Sequence, residues 1–193
     1  MPTRPSARDR LLRAARELFY ADGYSVSIDT LTERAAVAKP TVYAHFKSKD
    51  ALIGTMLDTA SEQWFAELDA ALAGRGDDPL ARLLTPFDLL VAGLPDPTYH
   101  GCILINSAAS FTDEAHPAHR ALVEHEQRMR DRFEALAAEA GAARPIALAR
   151  QLMVLYNGVK AHGLADHTGA VADDARSAAR ILLAAATETA NVP

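Results

Sequence analysis

Residues 27–53 read SIDTLTERAAVAKPTVYAHFKSKDALI. Ser27 suits the N-cap of a helix, with Asp29 in its first turn and Leu31 and Ala35 on its inward face. The link Ala36-Val37-Ala38 leads into a very short third helix that has Pro40 at its first position and ends at His45. Ser48 then caps a long fourth helix, with Asp50 in its first turn and Ile53, Leu57, Ala60, Trp64 and Leu68 down one stripe. Two short helices joined by so brief a turn form a helix-turn-helix pattern.

The third helix carries chemistry suited to DNA. Thr41, Tyr43 and His45 offer hydroxyl and imidazole donors to phosphates, while Thr41, Val42 and Ala44 are small enough to approach base edges. Lys39, Lys47 and Lys49 bracket the segment and supply the salt-dependent phosphate term. Val37 and Phe46 read as anchors into a small core. The same spacing also admits a bland reading, in which the lysines are a solvated surface and Tyr43 is a core residue.

Outward from this stretch the chain stays helical. Ser6 caps a first helix whose Leu11, Leu12, Ala15, Leu18 and Phe19 share a face, and Gly23 stops it. Beyond the fourth helix, Pro79 opens a helix toward Ala92, and the apolar run Cys102 to Phe111 suits a buried helix better than a strand. His116-Pro117 starts a long helix to about Ala140, and two more follow at about 146–164 and 171–189. Alanine accounts for 40 of the 193 residues, which strengthens the helical reading. The expected fold is all-α, with a three-helix head over residues 1–47 and a helical domain over 48–193.

The net charge of −5 argues by itself against a nucleic-acid binder, but it averages two unlike parts. Residues 1–50 hold nine Lys/Arg against six Asp/Glu, whereas residues 51–193 hold eleven against nineteen. A basic head is joined to an acidic body. The single cysteine, Cys102, fits a reducing compartment. The basic N-terminus lacks the apolar stretch of a secretory signal, and no window of about 18 uncharged apolar residues exists, so a cytoplasmic protein without membrane association is expected.

Residues 8–57, and above all 27–53, resemble the N-terminal DNA-binding domain of the TetR family of transcriptional regulators. The resemblance implies a homodimer, usually a repressor, that leaves a palindromic DNA operator when a small molecule enters a pocket in the C-terminal domain. It places Thr41, Val42, Tyr43, Ala44 and His45 in the major groove. Tyr43, His45 and Lys49 would grip phosphates, joined by Ser27 and Thr30. Where the family's turn commonly reads Ala-Gly-Val-Ser, this chain has Ala35-Ala36-Val37-Ala38. Ala36 must therefore adopt whatever backbone the glycine position needs, and Ala38 has no hydroxyl with which to cap the recognition helix.

In the C-terminal part, Gly101 to Asn106 followed by Phe111 resembles a Gly-Cys-apolar-apolar-x-Asn segment of one group of these effector domains. Candidate ligand-binding residues are Trp64, Phe87, Cys102, Asn106, Phe111, Phe133, Tyr156 and Asn157, of which Asn106, Tyr156 and Asn157 would orient a ligand. Each aromatic also reads as ordinary core, and Asn106 as a backbone-capping amide. The polar groups are neutral and few, so an apolar or aromatic small-molecule effector is expected. Cys102 reads either as a small buried hydrophobe or, beside His100 and ahead of a helix, as a reactive thiol. Homodimerisation is expected through the last two helices, where Gly158, Ala161, Gly163, Ala175, Ala178, Ala179, Ala185 and Ala186 allow close approach and Ile181, Leu182 and Leu183 add apolar area.

Enzyme signatures fail. His125-Glu126-Gln127-Arg128-Met129 begins like a zinc-protease motif, but Met129 stands where the second histidine belongs. No catalytic residue, metal site or cofactor is expected, and His116, His119 and His125 read as solvated histidines on a polar helix. The competing reading is a helical binding or catalytic protein whose helix-turn-helix-like hairpin makes protein contacts. Salt-dependent binding to a palindromic duplex separates the two.

Overall fold

The computed structural model describes residues 5–96, 98–163, 165 and 168–188. Among these the chain forms nine helices and no strand. The first three are α1 (Ala7–Asp22), α2 (Ile28–Ala35) and α3 (Lys39–His45). Ser6 begins α1 with a reciprocal cap: its hydroxyl accepts the Asp9 N–H at 3.1 Å, and its own N–H donates to the Asp9 carboxylate at 3.2 Å. The Ser6 hydroxyl also donates to the Asp9 carboxylate at 2.7 Å, and this bond, followed by that from the Ser6 N–H, holds the Asp9 carboxyl below its ordinary pKa. Leu11, Leu12, Ala14, Ala15, Leu18 and Phe19 face inward, and Gly23, at φ 79°, ends the helix in the left-handed region.

The link between α2 and α3 turns on Ala36. Its φ of 51° and ψ of 54° are left-handed, and it is the one non-glycine residue with positive φ among the described residues. Arg10 of α1 holds the turn from below, its guanidinium donating to the Ala35 carbonyl at 3.0 Å and the Ala36 carbonyl at 3.4 Å. Carbonyls left over at a helix end thereby gain partners. Ala38 makes no side-chain cap to α3, in keeping with its missing hydroxyl.

The remaining helices are α4 (Lys49–Ala73), α5 (Pro79–Gly93), α6 (Ile103–Ala109), α7 (Pro117–Glu139), α8 (Pro145–His162) and α9 (Ala170–Glu188). The apolar run after Cys102 is thus helical, and the expected helix ends at Leu164 and Thr189 fall outside the described residues. Ser48 caps α4 through the Ala51 N–H, and Asp78 caps α5 through the N–H groups of Leu80 and Ala81, with Pro79 at the first turn.

Packing divides the chain into two compact units: the chain up to Gln63 together with Ile103–Val123, and Trp64–Cys102 together with the chain from Glu124 onward. The sequence reading put everything after residue 47 in one effector domain, whereas here α6 and the start of α7 join the head. Aromatic packing is the reason. The Tyr24 ring lies 5.4 Å from that of Phe19 and 5.2 Å from that of Phe111, and Phe111 in turn stacks on His116 at 3.6 Å. The Tyr24 hydroxyl meets the Ser107 hydroxyl. Gly54 lets α4 approach the start of α7, since a Cβ there would stand 2.7 Å from that of Pro117. In the second unit, Phe87, Phe133 and Tyr156 form a triangle with ring centroids 5.7–6.0 Å apart. Leucines of α5 and α8 and Ala175, Ala179 and Leu183 of α9 belong to the same core.

The left-handed alanine yields a stability prediction. Replacing Ala36 by glycine removes about 1–2 kcal/mol of Cβ strain, and the added backbone entropy of the unfolded chain offsets only part of that, so Ala36→Gly raises stability by about 0.5–1 kcal/mol. Urea unfolding measures it, and a lower midpoint for the variant would refute the strain account.

Candidate nucleic-acid interface and effector site

α3 is oriented by what it buries. Val42 is 1 % exposed, and Phe46, one turn on, is also buried. Successive helical residues are rotated by about 100°, so Pro40 and Ala44 point almost directly away from Val42, with Thr41 and Tyr43 on the flanks. Pro40 and Ala44 are exposed, Thr41 is half-buried and Tyr43 is 55 % exposed. The expectation that Val42 approaches bases is therefore corrected: its side chain is an anchor in the head's core, and the small outward residues are Ala44 and Pro40. The exposed Tyr43 also excludes its reading as core.

The polar residues around α3 differ in how far they are already engaged. Ser27 accepts the Thr30 N–H at 3.1 Å, and the two hydroxyls lie 2.9 Å apart at the exposed start of α2. Lys39 pairs with Asp29 at 2.7 Å, and that hydrogen bond raises the ammonium pKa. Both partners are solvent-exposed, so the pair adds little stability. Lys49 is half-buried: its ammonium donates to the Tyr24 carbonyl at 2.6 Å and lies 5.5 Å from the Phe19 ring centroid. It braces the turn after α1, so a phosphate would have to share it with that bond. His45 and Lys47 are exposed.

Residues 11–56 match the family model described as bacterial regulatory proteins, tetR family. A crystal structure of a TetR-family transcriptional regulator from Streptomyces coelicolor is 34 % identical, with a TM-score of 0.86, over 94 % of this chain and 96 % of that one. The chain belongs to the TetR family of transcriptional regulators. Its relatives are DNA-binding regulators, not enzymes. The regulator TcmR of Streptomyces glaucescens is 30 % identical over 95 residues, covering 49 % of this chain and 41 % of TcmR. UidR of Escherichia coli K12 is 35 % identical over 68 residues, or 35 % of each chain. The chain thus matches less than half the length of these curated relatives.

The expected effector residues of this TetR-family chain fall in both units. Asn106 and Phe111 belong to the first unit, where Phe111 lies between Tyr24 and His116. Phe87 and Phe133 are fully buried in the second unit, in ring contact with each other and with Tyr156. Trp64, Cys102 and Asn157 are half-buried in the second unit, where Tyr156 is buried beside them. The Trp64 and Tyr156 rings lie 6.3 Å apart, and the Trp64 indole N–H points to the Met129 sulfur at 3.5 Å. Burial, followed by the nearby Cys102, Glu126 and Tyr99, raises the Tyr156 pKa and keeps the phenol neutral. Cys102 is a free thiol.

Sequence reasoning missed Lys160 and Glu126. Lys160 is 4 % exposed, its ammonium 3.5 Å from Glu126 Oε1 and 3.3 Å from Asn157 Oδ1, while the Asn157 amide donates to Glu126 Oε2 at 2.7 Å. The available signal was spacing: Lys160 lies four residues after Tyr156, on the stripe of Leu152, Met153 and Tyr156.

The histidines also differ from expectation. His116 is buried against Phe111, with its Nδ1 accepting the Ala118 N–H at 3.1 Å. His119 is half-buried and meets the Phe111 carbonyl at 2.8 Å. His125 is 3 % exposed, with its ring 5.3 Å from that of Phe65. None of the three is a solvated surface group. Among the described residues no cluster of His, Cys, Asp or Glu is arranged to hold a metal ion, and no helix is long and apolar enough to cross a membrane.

Burial, with Lys160 and Arg128 nearby, lowers the His125 pKa to about 3. The unfolded chain then takes up a proton at this residue near pH 6.5 while the native state does not. Stability is therefore complete above that pH and declines as pH falls toward the folded value. This residue alone accounts for about 2 kcal/mol lost between pH 7.5 and 5. Denaturant melts of wild type and His125→Phe check it: the variant loses correspondingly less, and parallel pH profiles would refute the buried neutral imidazole.

Proposed function

We propose that this TetR-family protein is a ligand-released repressor that binds a palindromic operator as a homodimer. The outward face of α3 carries this reading. A short helix presents a close-approach surface, Pro40 and Ala44, flanked by the hydroxyls of Thr41 and Tyr43, and it stands in a region with an excess of Lys and Arg. In this reading Tyr43, His45, Lys39 and Lys49 contact phosphates, Ser27 and Thr30 add hydroxyl donors from the start of α2, and Thr41 reads bases. Val42 only anchors.

Dimerisation through α8 and α9 has support in their outer faces. Val154 is 73 % and Ile181 68 % exposed, and Gly158, Ala161 and Ala185 are exposed on the same two helices. Large apolar side chains in water beside small residues suit close helix approach by a second copy. Ala175, Ala179 and Leu183 belong to the unit's own core and Gly163 is also buried, so they drop out of the expected interface. A small molecule in the second unit would act through α4, a single 25-residue helix with Lys49 in its first turn and Trp64 farther along it. It shifts DNA affinity only as far as it prefers the state that does not fit DNA.

Selection of genomic fragments at low salt, followed by anisotropy titrations, tests DNA binding. Tyr43→Ala weakens all sites by roughly tenfold with an unchanged melting temperature, Thr41 variants shift base preference, and Lys49→Ala lowers both affinity and melting temperature. Failure to select any site rejects the repressor reading. Light scattering tests assembly: Ile181→Arg converts a dimer to a monomer, and a wild-type monomer at micromolar concentration rejects the α8 and α9 interface.

A further inference from the structure

Resting on the ligand-responsive reading above, we propose that Lys160 is the ionic anchor of the effector site and that the effector is an aromatic organic anion, a carboxylate or sulfonate, which takes over Lys160 from Glu126.

The placement of Lys160 is expensive for a merely structural residue. Its neighbours on α8, Leu152, Met153, Tyr156 and Val159, are all buried, so an apolar side chain would suit the position. A desolvated ion pair is seldom more stable than its apolar replacement, which leaves stability a poor reason for the charge. The ammonium is also loosely held. Its contacts at 3.5 and 3.3 Å exceed the roughly 2.7–2.9 Å of a fully formed charge-assisted bond, and it has three protons to place. Glu126 makes its short bond, 2.7 Å, to Asn157 instead. Lys160 is thus a desolvated cation with donor capacity in reserve.

Its surroundings select an anion with a ring. The ammonium lies 5.0 Å from the Tyr156 ring centroid, and half-buried Trp64 is the next ring. The positive groups near His125 are Lys160 and Arg128, which help to keep that imidazole neutral, so the field at His125 is positive, whereas Glu126 opposes it at Tyr156. A cationic ligand would meet that field, and the carboxylate it needs is held by Asn157. A neutral aromatic would leave Lys160 as it is.

Trp64 is the only tryptophan in the chain, so energy transfer from it reports binding in the full-length protein. The probes are 1-anilinonaphthalene-8-sulfonate and N-phenyl-1-naphthylamine, which share a ring system and differ in the sulfonate. Wild type binds the sulfonate roughly tenfold more tightly than the neutral amine. Lys160→Met brings the two within about twofold while the amine's affinity holds, and Glu126→Gln, which removes a competing anion, tightens the sulfonate several-fold. Should Lys160→Met not fold, Glu126→Gln decides by itself, and an unchanged sulfonate affinity overturns the assignment. Equal binding of both probes by wild type overturns the anion but leaves a ligand site. No transfer from Trp64 to either probe overturns the ligand-responsive reading itself.

Discussion

The burial of Val42 and Phe46 is the constraint on which the proposed DNA-facing surface of α3 depends. A helix of seven residues does not persist in water, and α3 lacks even a side-chain cap at Ala38. Burying the two side chains contributes about 2 kcal/mol each, more than any other feature of the helix. Because they stand one turn apart, they also set the rotation of α3 about its axis, and hence which residues meet a ligand. Arg10 and the left-handed Ala36 fix the angle at which the chain enters. Recognition residues on so short a helix are placed by what lies beneath them.

Local chemistry was the part most legible in the sequence. Ser6, Ser27 and Ser48 all act as caps within three residues of their partners, so neighbouring letters sufficed to find them. The demand on the backbone at Ala36 came instead from the resemblance, whose turn commonly has glycine at that position. Val42 was misassigned because two helical turns are too few for periodicity to separate an inward from an outward position. The placing of α6 with the head depends on Tyr24, Phe111 and His116, which are far apart in the chain, and no local pattern encodes that stack. Lys160 was overlooked for a different reason: a lysine is assumed to be solvated unless a structure shows otherwise.

The charge distribution has a third level besides the basic head and acidic body. Lys39 and Lys49 are exposed or half-exposed and satisfied by nearby oxygens, so water and salt moderate their fields. Lys160 lies in the second unit with little water to moderate it, where the same unit charge acts more strongly on its neighbours. The lowered His125 pKa follows first from the burial of its own ring and then from the charges of Lys160 and Arg128. A chain can therefore be acidic overall, bind phosphates at one end and keep a cation for a small anion within its acidic part.

Magnitudes explain why an effector of this site needs both a charge and a ring. Moving a regulator from 1:99 to 99:1 between two states takes about 5.5 kcal/mol of differential binding. One charge-assisted hydrogen bond to Lys160 provides about 1.5–3 kcal/mol. An inorganic anion has little else to offer, and displacing Glu126 leaves that carboxylate needing a new partner. An aromatic body that buries about 100–150 Å² of apolar surface against Trp64 and its neighbours adds roughly 2.5–4 kcal/mol at 25 cal/mol per Å². Together these reach the required range, provided that both interactions form mainly in the state that releases DNA.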